Sequence, residues 1–116
     1  MNLYHCFIDL KDGAKALAFA GAVENWMAYL QSHGKISNWR LLRRKLNLAA
    51  GTHKDFLLEI EVRDLAMLDE AFALVSQPSA DVERLHGQIS PMIQSVEYGL
   101  YRPYPDPGRV ERAALL

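Results

Sequence analysis

Apolar and polar residues alternate through Asp55 to Arg63, DFLLEIEVR, with Phe56, Leu58, Ile60 and Val62 on one side and Leu57, Glu59 and Glu61 on the other. A strand divided in this way belongs to a sheet covered by helices on one face, and its acidic face must meet water, a partner subunit or a ligand. The N-terminal segment has the same period: Tyr4, Cys6, Ile8 and Leu10 form the cleaner apolar face, against His5, Phe7 and Asp9. The period then becomes helical. Phe19, Val23, Trp26, Met27 and Leu30 recur at helix spacing between Asp12, a candidate N-cap, and Gly34, a candidate stop. Ile36 to Leu46, ISNWRLLRRKL, predicts a second strand whose faces are not sorted by polarity, so its register stays open. Asn47 to Lys54, NLAAGTHK, predicts a long hairpin loop leading into the Phe56 strand. After Asp64, another N-cap candidate, Leu65, Leu68, Phe72 and Val75 mark an amphipathic helix that ends before Pro78. Ser79 would cap a short third helix with Val82, Leu85 and Ile89 turned inward, stopped by Pro91. Val96, Tyr98 and Leu100 alternate with Glu97, Gly99 and Tyr101 in a last strand that the YRPYPDPG run ends.

This order is strand, helix, strand, strand, helix, strand. It predicts an α+β, ferredoxin-like βαββαβ fold with a four-stranded antiparallel sheet and its helices on one face. The 116 residues suit a single domain, 1–116, with its core at about 2–104 and a tail at 105–116. Within that tail, Val110 to Leu116 reads as a helix able to pack on a neighbour. Half of the residues are hydrophobic, 23% are charged and the net charge is -1, a balance of globular chains rather than disordered or polyanion-binding ones. Cys6 stands alone, so no intrachain disulfide framework exists, and the start of the chain has no basic stretch leading into an apolar run. Ala14 to Val23 is too short to span a bilayer, and a cytoplasmic location without membrane contact is expected.

Chemistry concentrates on the face turned away from the helices. His5, Phe7 and Asp9, then Leu57, Glu59 and Glu61, then Glu97 and Tyr101 belong to it by alternation. The second strand adds either Trp39, Leu41 and Arg43 or Arg40, Leu42 and Arg44, and in both registers an arginine faces the carboxylates. His5 and Cys6, as strand neighbours, point to opposite faces, and no CxxC, HxxxH or HExxH spacing occurs, so no metal is expected. Cys6 falls on the helix-facing side, where a thiol is buried and unreactive. His33 is most simply a helix-end residue and His53 a solvated loop residue, while His86, in RLHGQIS, either caps a helix end or closes a cavity mouth with Tyr101 or Arg102. RNA-recognition modules share the element order, but Glu59 and Glu61 would repel phosphate and no glycine-rich phosphate loop is present, so no nucleic acid is expected.

Four strings, YHCFIDLKDG, LLRRKLNL, RLHGQIS and YGLYRPYPD, extend these readings. Together they make the chain, over about residues 2–104, resemble the dimeric α/β-barrel superfamily and, within it, an uncharacterised bacterial family. The resemblance implies a homodimer in which two open sheet faces pack together and enclose a cavity. The superfamily includes cofactor-independent monooxygenases, small-molecule lyases and isomerases, and proteins without assigned activity, and no catalytic motif maps onto this chain residue by residue. The expectation is a homodimer that binds a small organic molecule, without a cofactor, in a cavity lined by the open face between two sheets or in one between sheet and helices. His5, His86 and Tyr101 are the catalytic candidates, and Trp39, Arg43, Arg44, Glu59, Glu61 and Arg102 the ligand-binding ones. One alternative is a non-catalytic dimeric module in which Arg43 or Arg44 pairs with Glu59, Glu61 or Glu97 to build the assembly. The other is a cofactor-independent monooxygenase- or isomerase-like enzyme, with His5 or His86 as base, Tyr101 as donor and Arg43 or Arg44 holding an anion.

Overall fold

The computed structural model describes residues 1–45, 48 and 50–105; Leu46, the end of the expected second strand, and the expected helix at 110–116 lie outside the described residues. Strand β1 (Asn2–Leu10) leads to helix α1 (Ala16–Ser32), β2 (Asn38–Arg43), β3 (Phe56–Val62), α2 (Leu65–Ser76), α3 (Ala80–Gly87), a 3₁₀ turn (Ser90–Met92) and β4 (Ile93–Tyr101). The sheet order is β2-β3-β1-β4 and every pairing is antiparallel. This is the expected ferredoxin-like α+β fold.

Register decides which residues share a face. Tyr4 opposes Ile60 and Leu100, and Cys6 opposes Leu58 and Tyr98, so the even-numbered residues of β1, β3 and β4 lie under the helices. In β2, Trp39 opposes Ile60, Leu41 opposes Leu58 and Arg43 opposes Phe56, which places its odd-numbered residues on that same side. Arg40 and Leu42, opposite Glu59 and Leu57, therefore take the open face. The local pattern left both registers available. Tertiary packing selects the one in which Trp39 and Leu41 extend the apolar cluster, because the other would bring Arg40 beneath the helices. Arg43 sits at the strand end, where its guanidinium lies 5.7 Å from the Phe56 ring centroid.

Helix α1 buries Phe19, Ala22, Val23, Trp26, Met27 and Leu30, the expected stripe with one alanine added. Its start differs from the expectation: Lys15, not Asp12, is the N-cap residue, and no side chain caps it. Its stop is Gly34. At φ +67° this glycine donates its N–H to the Gln31 carbonyl while Lys35 donates to that of Leu30, a left-handed ending that satisfies two terminal carbonyls and that a side chain would strain.

Asp64 caps α2, its Oδ1 accepting the Met67 N–H at 2.8 Å. The buried face of α2 departs from the predicted stripe. Met67 and Ala71 are buried and Leu68 is half-buried, whereas Leu65, Phe72 and Val75 are 49%, 47% and 37% exposed. Met67 is held by more than apolar contact, since its sulfur accepts the Arg63 N–H and the Ser37 hydroxyl. A flexible thioether and a small methyl let this helix sit close to β3, and the larger side chains are left at its margin. In α3, Ser79 faces the Val82 N–H, and Val82, Leu85 and the following Ile89 are buried as their spacing predicts. The centre of the core is Phe19, Val23, Met27 and Val62, all but fully enclosed.

Candidate functional site

On the open face one carboxylate organises the middle of the sheet. Glu59 accepts from His5 Nε2 at 2.9 Å through Oε2 and from Arg40 Nε at 2.8 Å through Oε1. Alternation and register bring the three side by side, since Glu59 lies opposite both His5 and Arg40. The Arg40 guanidinium, with a smaller contribution from His5, holds the Glu59 carboxyl below its ordinary range against the opposing effect of burial. Tyr101 covers His5 with ring centroids 4.8 Å apart, and Phe7 meets it edge-on at 5.8 Å. Gly99, opposite His5 on the other side, makes this possible: a Cβ there would stand 3.3 Å from a Tyr101 ring carbon and 3.5 Å from one of Phe7. At the hairpin end of the same face, Lys54 lies 3.4 Å from both Asp9 and Glu97, and hydrogen bonds to these carboxylates raise its ammonium pKa. Arg44 faces Asp55 at 3.6 Å.

The helix side of the sheet holds a different feature, a cleft of about 270 Å³. Cys6, Leu58 and Ile60 form its floor, Trp26, Met27 and Leu30 of α1 one wall, and Phe72 and Val75 of α2 another. Polar atoms enter it from Tyr4, Tyr98 and His86. Tyr4 stacks on Tyr98 and takes the edge of Phe72, each at 5.7 Å between centroids. Burial, then the neighbouring Cys6 and Tyr98, push the Tyr4 hydroxyl up to about 12, and burial likewise raises that of Tyr98. Both phenols are thus neutral hydrogen-bond donors at physiological pH. The Cys6 thiol is also pushed up to about 12 by burial, which keeps it protonated and unreactive as expected. His86 stands in the last turn of α3 with its Nδ1 3.3 Å from the Ser90 hydroxyl and its ring edge-on to Trp26.

The structure therefore separates residues that the sequence grouped as one candidate site. His5, Tyr101, Glu59 and Glu61 share the open face, and Arg44 lies at its hairpin end. Trp39 and Arg43 belong to the helix side by register, and His86 lines the cleft there, across the sheet from Tyr101. Arg102 follows β4 and donates its Nε–H to the buried Asn2 side chain at 2.8 Å, tying the end of the sheet to its beginning. Within the chain, Arg40 and not Arg43 or Arg44 pairs with Glu59, and Glu97 pairs with Lys54. Arg40 was visible beforehand only as one of two register options. Tyr4 and Tyr98 were legible as strand residues, but no local pattern marks the cleft they line. Among the described residues, no group of three or more histidines, cysteines and carboxylates could hold a metal ion, and no helix is long and apolar enough to cross a membrane.

Over residues 1–116 the chain matches the model of a family of unknown function, DUF6614, and it belongs to that family. No curated protein matches it. Solved structures do. A dabb-family protein with a ferredoxin-like fold from Mesorhizobium loti is 14% identical, with a TM-score of 0.63 over 88% of this chain and 95% of that one. A dimeric ferredoxin-like protein of unknown function from Thermobifida fusca is 17% identical, with a TM-score of 0.60 over 87% and 90%. HapK from Hahella chejuensis is 21% identical, with a TM-score of 0.66 over 91% and 95%. The chain thus has the fold of the dimeric α/β-barrel proteins, as its sequence strings implied.

Proposed function

We propose that this protein binds a small, largely apolar organic molecule in the cleft between sheet and helices, and that two copies associate through their open sheet faces. The cleft itself carries the reading. It combines aliphatic and aromatic walls with two neutral phenols and one imidazole, the composition of a small-molecule site in which apolar area supplies affinity and a few polar atoms fix orientation. Its size suits a ligand of one or two rings. Of the two expected cavity positions, between sheets or between sheet and helices, this reading takes the second. The open face suits assembly better: its charges at Glu59 are already paired, while Phe7, Leu42, Leu57 and Tyr101 offer apolar area between them. The dimeric state described for the Thermobifida fusca protein supports the same arrangement.

Trp26 lines the cleft, so binding of 2-naphthol should quench its fluorescence in a Trp39→Phe background. Val75→Trp, placed at the half-exposed rim, should weaken binding about tenfold or more without loss of helical circular dichroism. Tyr98→Phe should weaken it about fivefold, the loss of roughly one hydrogen bond. Unchanged affinity in both variants would refute the cleft. Sedimentation should show a dimer at micromolar concentration and a folded monomer for Leu57→Arg; a wild-type monomer would refute the assembly.

A further inference from the structure

The cleft beneath α2 offers hydrogen-bond donors without a permanent charge. Among the described residues, no lysine, arginine, aspartate or glutamate lines it. An ionised ligand would lose its water there and meet no permanent counter-ion, which restricts the occupant to uncharged molecules.

Two phenols make up most of the polar lining. Tyr4 of β1 and Tyr98 of β4 stand on the same side of the sheet, since Tyr98 lies opposite Cys6, two residues along from Tyr4. Their rings stack at an interplanar angle of 17° with centroids 5.7 Å apart, and Phe72 meets Tyr4 edge-on. These contacts restrain the rings, so the hydroxyls need little reordering when a ligand arrives. Among the described residues neither hydroxyl has a hydrogen-bond partner. Burial keeps both protonated, so each has a proton to give. Two unpaired donors beside an apolar cavity call for an acceptor from outside the chain. The oxygen that answers them best has two lone pairs and no proton of its own to place, and that is a carbonyl oxygen.

We propose that the cleft takes an uncharged ketone or aldehyde, whose oxygen accepts from both Tyr4 and Tyr98 while its apolar body lies against Trp26, Met27, Leu58 and Ile60. Such selectivity rests on the cleft being the ligand site, and it adds to that reading the chemical class of the ligand. A hydrocarbon of the same shape would leave both phenols without an acceptor, and a carboxylate would bring a charge that the lining does not balance.

The test compares three ligands of one shape by calorimetry on the full chain at pH 8. They are methyl 2-naphthyl ketone, 2-isopropenylnaphthalene, in which a methylene replaces the carbonyl oxygen, and 2-naphthoate, in which an ionised oxygen replaces the methyl. The wild type should bind the ketone about twentyfold more tightly than the alkene, the worth of two hydrogen bonds of about fivefold each, and naphthoate more weakly than the ketone. Tyr4→Phe combined with Tyr98→Phe keeps both rings and should bring the ketone down to the affinity of the alkene, with the alkene unchanged. Tyr98→Phe alone, at an exposed position, should weaken the ketone about fivefold and leave the alkene as it was. Val75→Trp should weaken ketone and alkene alike. Equal affinity for ketone and alkene, a preference that survives the double substitution, or naphthoate matching the ketone would overturn the carbonyl assignment, and the cleft would stand as a site if Val75→Trp still weakened both. Binding of neither ligand, or binding untouched by Val75→Trp, would overturn the cleft itself and the assignment with it.

Discussion

Under the helices, β1 and β3 present Cys6, Ile8, Phe56, Leu58, Ile60 and Val62, all buried, while on the reverse of the same backbone His5, Glu59 and Arg40 are joined by hydrogen bonds of 2.9 and 2.8 Å. The first face is held by non-directional apolar burial, which tolerates unfilled space wherever large side chains do not interlock. The cleft is that space: α2 seats Met67 and Ala71 and leaves Phe72 and Val75 at the mouth. The second face is held by directional contacts that satisfy one another. A carboxylate already bonded to an arginine and a histidine is a poor proton carrier and a good register pin, which is why we place the proposed binding on the first face and the proposed assembly on the second.

The comparison breaks most severely through the core. Phe19→Ala removes the fully enclosed ring that meets Phe56 at 5.0 Å, and a loss of about 3–5 kcal/mol in urea unfolding is expected. A smaller loss would mean that the cleft lets the helix layer collapse around the gap.

On the open face, Glu59→Gln should cost about 1–2 kcal/mol, discounted because Arg40 is 65% exposed. The Glu59 carboxyl is held below its usual 4.5 by Arg40, so its contribution is complete above that pH and disappears as pH falls through the depressed folded value. The difference between wild type and Glu59→Gln should therefore be full at neutral pH and close in strong acid. A constant gap across pH 2–7 in thermal melts would show that the carboxylate's charge is irrelevant to the face.

Gly99→Ala should change stability by no more than about 0.5 kcal/mol, since the Tyr101 ring it crowds is 55% exposed and can move. The same variant should weaken the proposed sheet-to-sheet dimer more than the fold, because it lifts the Tyr101 ring from His5. The smallest effect belongs to Cys6, which should not react with a thiol reagent at pH 8 until urea exposes it. Rapid modification of the native chain would show that the cleft admits water to its floor.

Much of this was legible one residue at a time. Alternation assigned Tyr4–Leu10, Phe56–Val62 and Val96–Tyr101 to their faces, and a helical period assigned the buried stripe of α1. The reading stayed open in β2 and failed in α2, where neighbouring positions offered comparable apolarity. In β2, Trp39 and Leu41 compete with Leu42 across one residue, and in α2 the larger Leu65, Phe72 and Val75 outweigh Met67 and Ala71 by hydrophobicity but not by fit. The candidate site suffered from the first of these, because the arginine that meets Glu59 depends on the register of β2.

The sequence by itself determined the order of elements, the one-sided sheet and the two polarities of its faces, because alternation and helical period are properties of adjacent residues. Tertiary structure alone decided that Arg40 and not Arg43 joins Glu59, that His86 and Tyr101 stand on opposite sides, and that a cleft opens beneath α2. These depend on how far apart packed elements come to rest, a distance set by the summed fit of side chains distant in the chain and carried by no local pattern.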